Sequence, residues 1–192
     1  MARQYFFLIA IAFLAGSVLA QETPPPVKDR YPSLRVLTKV GTKRNKVPGS
    51  SYRQIMVTSP SLTIESARTQ PMAAARATCL IITMDTARKY RNREEVYKVA
   101  TSETLDIPAI DKGERRDFEF AKLTTQFDSE RDYTNVGGDV YKYFLIAVFS
   151  DTQEILYFET NNPSLDAYLK KNPDQRLRFL SMKVGASFPS KF

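Results

Sequence analysis

Histidine and tryptophan are absent from this 192-residue chain, cysteine occurs once, and glycine is confined to seven positions. Without histidine, the Ser-His-Asp and Cys-His nucleophile arrangements are excluded, as are histidine-containing zinc and iron sites. A single cysteine, Cys79, excludes an intramolecular disulfide and thiolate metal clusters. It sits inside the apolar stretch Ala77-Thr78-Cys79-Leu80-Ile81-Ile82, where a buried thiol behaves as a small hydrophobe rather than a nucleophile. A Gly-rich phosphate loop is missing too, because Gly137-Gly138 lacks the Lys and Ser or Thr that would have to follow. The sequence therefore calls for no cofactor, no metal and no catalytic residue.

What is present begins with an export signal. Arg3 supplies a positive start, Phe6 to Ala15 is an unbroken apolar run, Gly16 and Ser17 end it, and Val18-Leu19-Ala20 places small residues where a signal peptidase reads them. The run is too short for a membrane span, which needs about 20 apolar residues. The expectation is a signal peptide over 1–20, cleavage between Ala20 and Gln21, and a secreted or periplasmic product with no membrane span. A disulfide-free exported domain fits a bacterial envelope better than an animal secretory pathway. Arg3 leaves with the leader, so 28 basic residues become 27 against the same 21 acidic ones, a net charge of +6. An exported address argues against nucleic acid as the partner. It leaves contact with an acidic polysaccharide or an anionic lipid surface open.

Residues 21–32, with Thr23-Pro24-Pro25-Pro26, read as a Pro-rich tether trailing from the domain. From Leu34 the period is two: Leu34, Val36 and Thr38 alternate with Arg35, Leu37 and Lys39. Gly41 to Ser50 reads as a basic loop, and Tyr52 to Val57 as a strand that Ser59-Pro60-Ser61 bends or places at a sheet edge. Thr78–Met84 and Tyr141–Phe149 are apolar on both faces and so read as central strands. Arg88 to Glu95 reads as a charged hairpin-like loop. Glu95–Ile107 and Arg116–Gln126 are strands, the latter with Phe118 and Phe120 on one face. Ser150-Asp151-Thr152-Gln153 is a tight hairpin into Glu154–Thr160. Asn162-Pro163 opens one helix over 163–171, with Leu165, Tyr168 and Leu169 on one face, expected to plug an open end of the sandwich. Arg176 to Met182 reads as a last strand or extended tail. Residues 33–192 thus form a single mainly-β domain, an antiparallel β-sandwich with one short C-terminal helix.

Residues 76–160 carry a resemblance. The apolar strand Cys79–Met84 is followed by a strand through Tyr97 and Val99. The turn Ile107-Pro108-Ala109-Ile110-Asp111-Lys112-Gly113-Glu114 then leads into Phe118-Glu119-Phe120, and the pair Tyr143–Phe149 and Ile155–Phe158 closes the unit. This pattern resembles bacterial immunoglobulin-like modules of the fibronectin-like and CARDB (cell-adhesion-related) kind, which implies an immunoglobulin-like sandwich and an adhesive or scaffolding role. The cysteine pair and core tryptophan of antibody domains are absent. In size and in its basic, tyrosine-rich strands the chain is similar to small exported immunoglobulin-like proteins of verrucomicrobial bacteria, some linked to type IV pili. Its leader lacks the charged, glycine-terminated form of prepilins, so the pilus role this implies is accessory.

Two further chemistries compete with a plain solvated surface. Glu94-Glu95, Glu103-Asp106 and Asp128-Glu130-Asp132 could supply the carboxylate pair of a small hydrolase. Asp128-x-Glu130-x-Asp132, with Asn135 and Asp139, offers oxygen ligands for calcium. Tyr133 stands where an EF-hand loop needs glycine and Arg131 repels a cation, so a hydrated loop is the stronger reading. The best contact patch mixes basic and aromatic side chains: Arg88, Lys89, Tyr90, Arg91 and Arg93. The function these observations favour is an exported, non-enzymatic binding or scaffolding protein of the bacterial envelope, partnered by an envelope or surface protein. The alternative is a carbohydrate- or polyanion-binding module.

Overall fold

Alternation of period two builds the first of two antiparallel sheets in the computed structural model, which describes residues 26–31, 34–128 and 137–192. The expected leader over 1–20 and residues 21–25 of the expected tether lie outside the described residues. Strands β1 (Arg35–Lys46) and β2 (Arg53–Glu65) form a long hairpin, and β5 (Arg115–Glu119) and β6 (Leu123–Asp128) lie end to end along the other side of β2. In β2 the even-numbered side chains Met56, Thr58, Pro60, Leu62 and Ile64 are buried and the odd-numbered ones are at least partly exposed. One face of this sheet therefore packs inward and the other meets solvent. The expected loop at Gly41–Ser50 is mostly strand, because β1 pairs residue by residue with β2 down to Lys46 opposite Gln54. Charged side chains do not oppose a strand on a solvated edge, and lysines there block unwanted pairing.

Pro60 neither bends β2 nor sends it to an edge; β2 is the central strand of its sheet. The accommodation is made by the neighbouring strand. Proline has no N–H to donate, and opposite it the chain breaks into β5 and β6. The Pro60 carbonyl accepts from Phe120 N–H at 3.1 Å. The register moves from Ser61 opposite Glu119 to Thr58 opposite Leu123, so residues 120–122 face only Ser59 and Pro60. This is a β-bulge, and its one-residue slip flips the inward set from Phe118 and Phe120 to Leu123 and Phe127. The displaced Ala121 N–H donates to the Glu103 carboxylate of the opposite sheet at 2.6 Å.

The second sheet has the order β8-β7-β3-β4-β9, built from β3 (Ala75–Asp85), β4 (Tyr97–Ile107), β7 (Asp139–Phe149), β8 (Ile155–Thr160) and β9 (Ser187–Phe188). Strands β3 and β7 are central and buried on both faces, as their sequences imply. One face, with Ala77, Cys79, Ile81, Phe144, Ile146 and Val148, packs on Leu62 and Ile64 of the first sheet. The turn after β4 contributes Ile107 and Ile110 to the same core. The opposite face, with Leu80, Ile82, Leu145 and Phe149, is covered by the C-terminal segment.

That segment departs from expectation in two ways. It holds two helices, α3 (Pro163–Lys171) and α4 (Gln175–Leu180), the second in place of a last strand. They do not plug an end of the sandwich. Leu165, Leu169, Phe179 and Leu180 lie on the outer face of the second sheet and make a third layer. A sheet that is apolar on both faces needs cover on both. The cap is as read: the Asn162 side chain accepts from Ser164 N–H at 3.1 Å and Leu165 N–H at 3.2 Å.

The tether is also docked from residue 26. Val27–Arg30 form a short helix, α1, and Tyr31 is buried. The Tyr31 hydroxyl donates to the Ala74 carbonyl and accepts from Asp151 N–H, and Arg30 pairs with Asp151. Among the described residues, no helix is long and apolar enough to cross a membrane.

The two sheets are tied at one corner by Gly138. It bridges Phe127 of β6, and its carbonyl accepts from the Thr86 N–H and hydroxyl, both at 3.0 Å. Its φ is +86°, and a Cβ there would stand 2.0 Å from the Gln126 carbonyl oxygen. Gly138→Ala is expected to cost at least about 3 kcal/mol in urea denaturation. Gly49→Ala, with φ +78° but open space around it, is expected to cost only about 1 kcal/mol.

Burial raises the Cys79 thiol to about 12, and burial with the Glu95 hydrogen bond raises the Tyr97 hydroxyl to about 12. Burial also raises Tyr31, Tyr141, Tyr143 and Tyr157. In the unfolded chain the thiol and the phenols release protons near 9.0 and 10.0 respectively. The folded state then holds more protons than the unfolded one, so stability falls as pH rises. The urea midpoint is expected to decline steadily between pH 9 and 12, with a smaller decline in Tyr97→Phe.

Candidate functional site

At the end of the sandwich away from Tyr31, the β1–β2 hairpin, the end of β6 and the start of β7 enclose a cleft of about 290 Å³ together with a short helix. The helix, α2 (Thr86–Asn92), replaces the hairpin-like loop expected at Arg88–Glu95. Its start is specified locally. Asp85 caps it by accepting from Arg88 N–H at 3.1 Å, and buried Thr86 fastens it to Gly138. It stops where Arg93 turns left-handed, with φ 56°.

The helix separates the five residues of the expected contact patch. Lys89 and Tyr90 line the cleft. Arg88 turns back to Glu94 at 3.3 Å, Arg91 is exposed, and Arg93 serves as the helix terminus. Two cations outside the expected patch join Lys89 in the cleft: Arg44 of β1 and Lys142 of β7. Arg44 lies in the stretch whose composition reads as a loop, whereas the extended β1 carries it to the cleft, where its guanidinium lies 5.7 Å over the Phe127 ring. Lys142 had a signal, a lone lysine at the head of the most apolar strand of the chain.

Lys142 is also the residue left out of the β3–β7 ladder. Tyr143 pairs with Ile82 and Tyr141 with Thr83, so Lys142 occupies a bulge. Bulges next to sites re-aim a side chain. Burial and the adjacent Lys89 ammonium push Lys142 below the usual lysine range, while Glu95 opposes the shift. Glu95 accepts from Lys89 at 2.8 Å and from the Tyr97 hydroxyl at 2.8 Å, and these two bonds hold it below the ordinary carboxylate range. Asp128, the acidic residue lining the cleft, pairs with Arg53 at 4.0 Å. Chemically the cleft is a polar, cationic slot with two tyrosines, Tyr90 and Tyr141, in its wall.

The structure disperses the carboxylates weighed for hydrolysis. Glu94 and Glu95 face Arg88 and Lys89, Glu103 holds Ala121 N–H, and Asp106 is exposed beside Arg76. Of the calcium-loop residues, Glu130, Asp132 and Asn135 lie outside the described residues, whereas Asp128 and Asp139 face Arg53 and Lys98. Among the described residues, no group of His, Cys, Asp or Glu is placed to hold a metal ion. Cys79 is 1 % exposed. Iodoacetamide is therefore expected to leave Cys79 unmodified in the folded protein and to alkylate it fully in urea, as followed by intact mass.

No protein-family model and no curated protein matches the chain. Among solved structures it is similar to a crystal structure from Akkermansia muciniphila, at 12% identity over 80% of this chain and 79% of that one, with a TM-score of 0.35. It is also similar to a target of the Northeast Structural Genomics Consortium, at 14% identity over 68% of this chain and 89% of that one, with a TM-score of 0.29. The two matches do not establish the immunoglobulin-like or CARDB-like resemblance.

Proposed function

We propose that this protein is an exported, non-enzymatic binding or scaffolding module of a bacterial cell envelope, and that it meets an envelope or surface protein at the end carrying α2. The reading rests on polarity along the sandwich. Strand β3 starts at Ala75, beside the Ala74 carbonyl that holds Tyr31, and ends at Asp85, the cap of α2. Its 11 residues span roughly 35 Å at about 3.3 Å each. The N-terminal segment docks at the Tyr31 end, so the cleft and α2 stand at the opposite end, clear of the chain that follows the leader. The leader in the sequence supports export, and the adhesive role implied by the family resemblance agrees with presentation at a far end.

A photoreactive amino acid placed at Lys46, at the cleft end, or at Gln70, at the Tyr31 end, tests this in the native host. The expected result is a discrete envelope-protein adduct from position 46 and none from position 70, with the exported product starting at Gln21. Adducts from position 70 alone, or a cytosolic product retaining residues 1–20, would overturn it.

A further inference from the structure

Three cations reach one slot from three separate elements: Arg44 from β1, Lys89 from α2 and Lys142 from β7. Lys89 is matched by Glu95, and the Asp128 carboxylate in the wall is matched by Arg53. Among the described residues, neither Arg44 nor Lys142 has a carboxylate within 4.0 Å, and Glu95, which acts on Lys142 from farther off, is already taken by Lys89 and Tyr97. The strand bulge aims Lys142 at this place. Arg44 is exposed, whereas Lys142 is partly desolvated and stands beside the Lys89 ammonium, which works against folding; such arrangements persist where charge is kept for a ligand of opposite sign.

We propose that this cleft is a carboxylate-binding site, in which Arg44 and Lys142 together clasp one Asp or Glu side chain from an acidic segment of the partner protein. The inference rests on the reading that the α2 end is the contact end, and it names the group recognised there. A guanidinium edge presents two parallel N–H donors that match the two oxygens of a carboxylate. The cleft, at about 290 Å³, has the volume of about ten water molecules, enough for one acidic side chain and its residual hydration. A sugar acid is disfavoured by the aromatic rings of the wall. Phe127 is 9% exposed with its face taken by Arg44, and Tyr90 and Tyr141 are only partly exposed, so no open ring face is offered to a pyranose.

Calorimetric titration of the mature protein with a hexaglutamate peptide at low salt tests the assignment. Binding is expected, weakening as salt is added, and Kd is expected to rise at least about tenfold in Arg44→Gln and in Lys142→Gln. Lys28→Gln, at the opposite end, is expected to bind as the parent does. Arg44→Lys is expected to bind more weakly than the parent, because it keeps the charge and loses the fork. Without peptide, Lys142→Gln is expected to raise Tm by about two degrees or more, since it removes a partly desolvated charge and its repulsion with Lys89, which together outweigh the attraction of Glu95. Absence of peptide binding by the parent, parent-like binding by both Gln variants, or a lowered Tm in Lys142→Gln would overturn the assignment. Equal or tighter binding of inorganic phosphate or of hexagalacturonate would overturn the choice of a protein carboxylate. If the adduct from position 46 persists unchanged in the double Gln variant, the contact end stands and the carboxylate clasp falls.

Discussion

Everything in this architecture answers to two strands that are apolar on both sides. From Ala77 to Met84 and from Tyr143 to Phe149 every side chain of β3 and β7 is buried, whichever way it points. Burying a side chain such as Leu80, Ile82, Leu145 or Ile146 stabilises the fold by about 1.5–3 kcal/mol each. These strands can exist only between two covers. The first sheet supplies one and the α3–α4 segment the other, so the molecule has three layers although its strands by themselves make two. The C-terminal helices are therefore half of the support for the central sheet.

Against that regular core, the informative places are those where the ladder slips. Pro60 cannot donate, and the cost is transferred to the neighbouring strand, which breaks at Phe120 and recovers one residue out of phase. The freed Ala121 amide is then answered from the other sheet by Glu103. Lys142 drops out of the β3–β7 pairing. Gly138 occupies a left-handed position that lets β6 and β7 touch although they belong to different sheets. Two of these three irregularities, at Gly138 and Lys142, cluster at the α2 end. The sheets converge there at Gly138 and still leave a polar slot beside it. The same end concentrates unmatched positive charge, which a fold selected for stability alone would disperse.

Much of this was legible in the chain. Strict alternation over Val36–Thr38 and through Phe118 and Phe120, the two-faced runs of β3 and β7, and the Asn162-Pro163 start of α3 were all readable, because each depends on residues a few positions apart. Even the bulge left a trace, since the apolar residues change from even positions at Phe118 and Phe120 to odd ones at Leu123 and Phe127. Two departures share a cause. Gly41–Ser50 and Arg88–Glu95 are rich in charge and read as loops, yet charge marks solvent exposure and says little about backbone conformation. In the first case pairing with β2 extended the strand; in the second Asp85 and Thr86 pinned a helix.

The sequence by itself determined the class of fold, the double-sided burial of two strands, and the exclusion of histidine- and thiolate-based chemistry, since composition and short-range periodicity suffice for these. Tertiary structure alone decided that the helices lie on the outer face of a sheet, that Tyr31 fastens the N-terminal segment at one end, and that Arg44, Lys89 and Lys142 share a cleft at the other. Those three residues come from two sheets and a helix, and only the register of β1, the capping of α2 and the bulge in β7 bring their charges together. Long-range proximity of this kind leaves no local pattern in a sequence to be read.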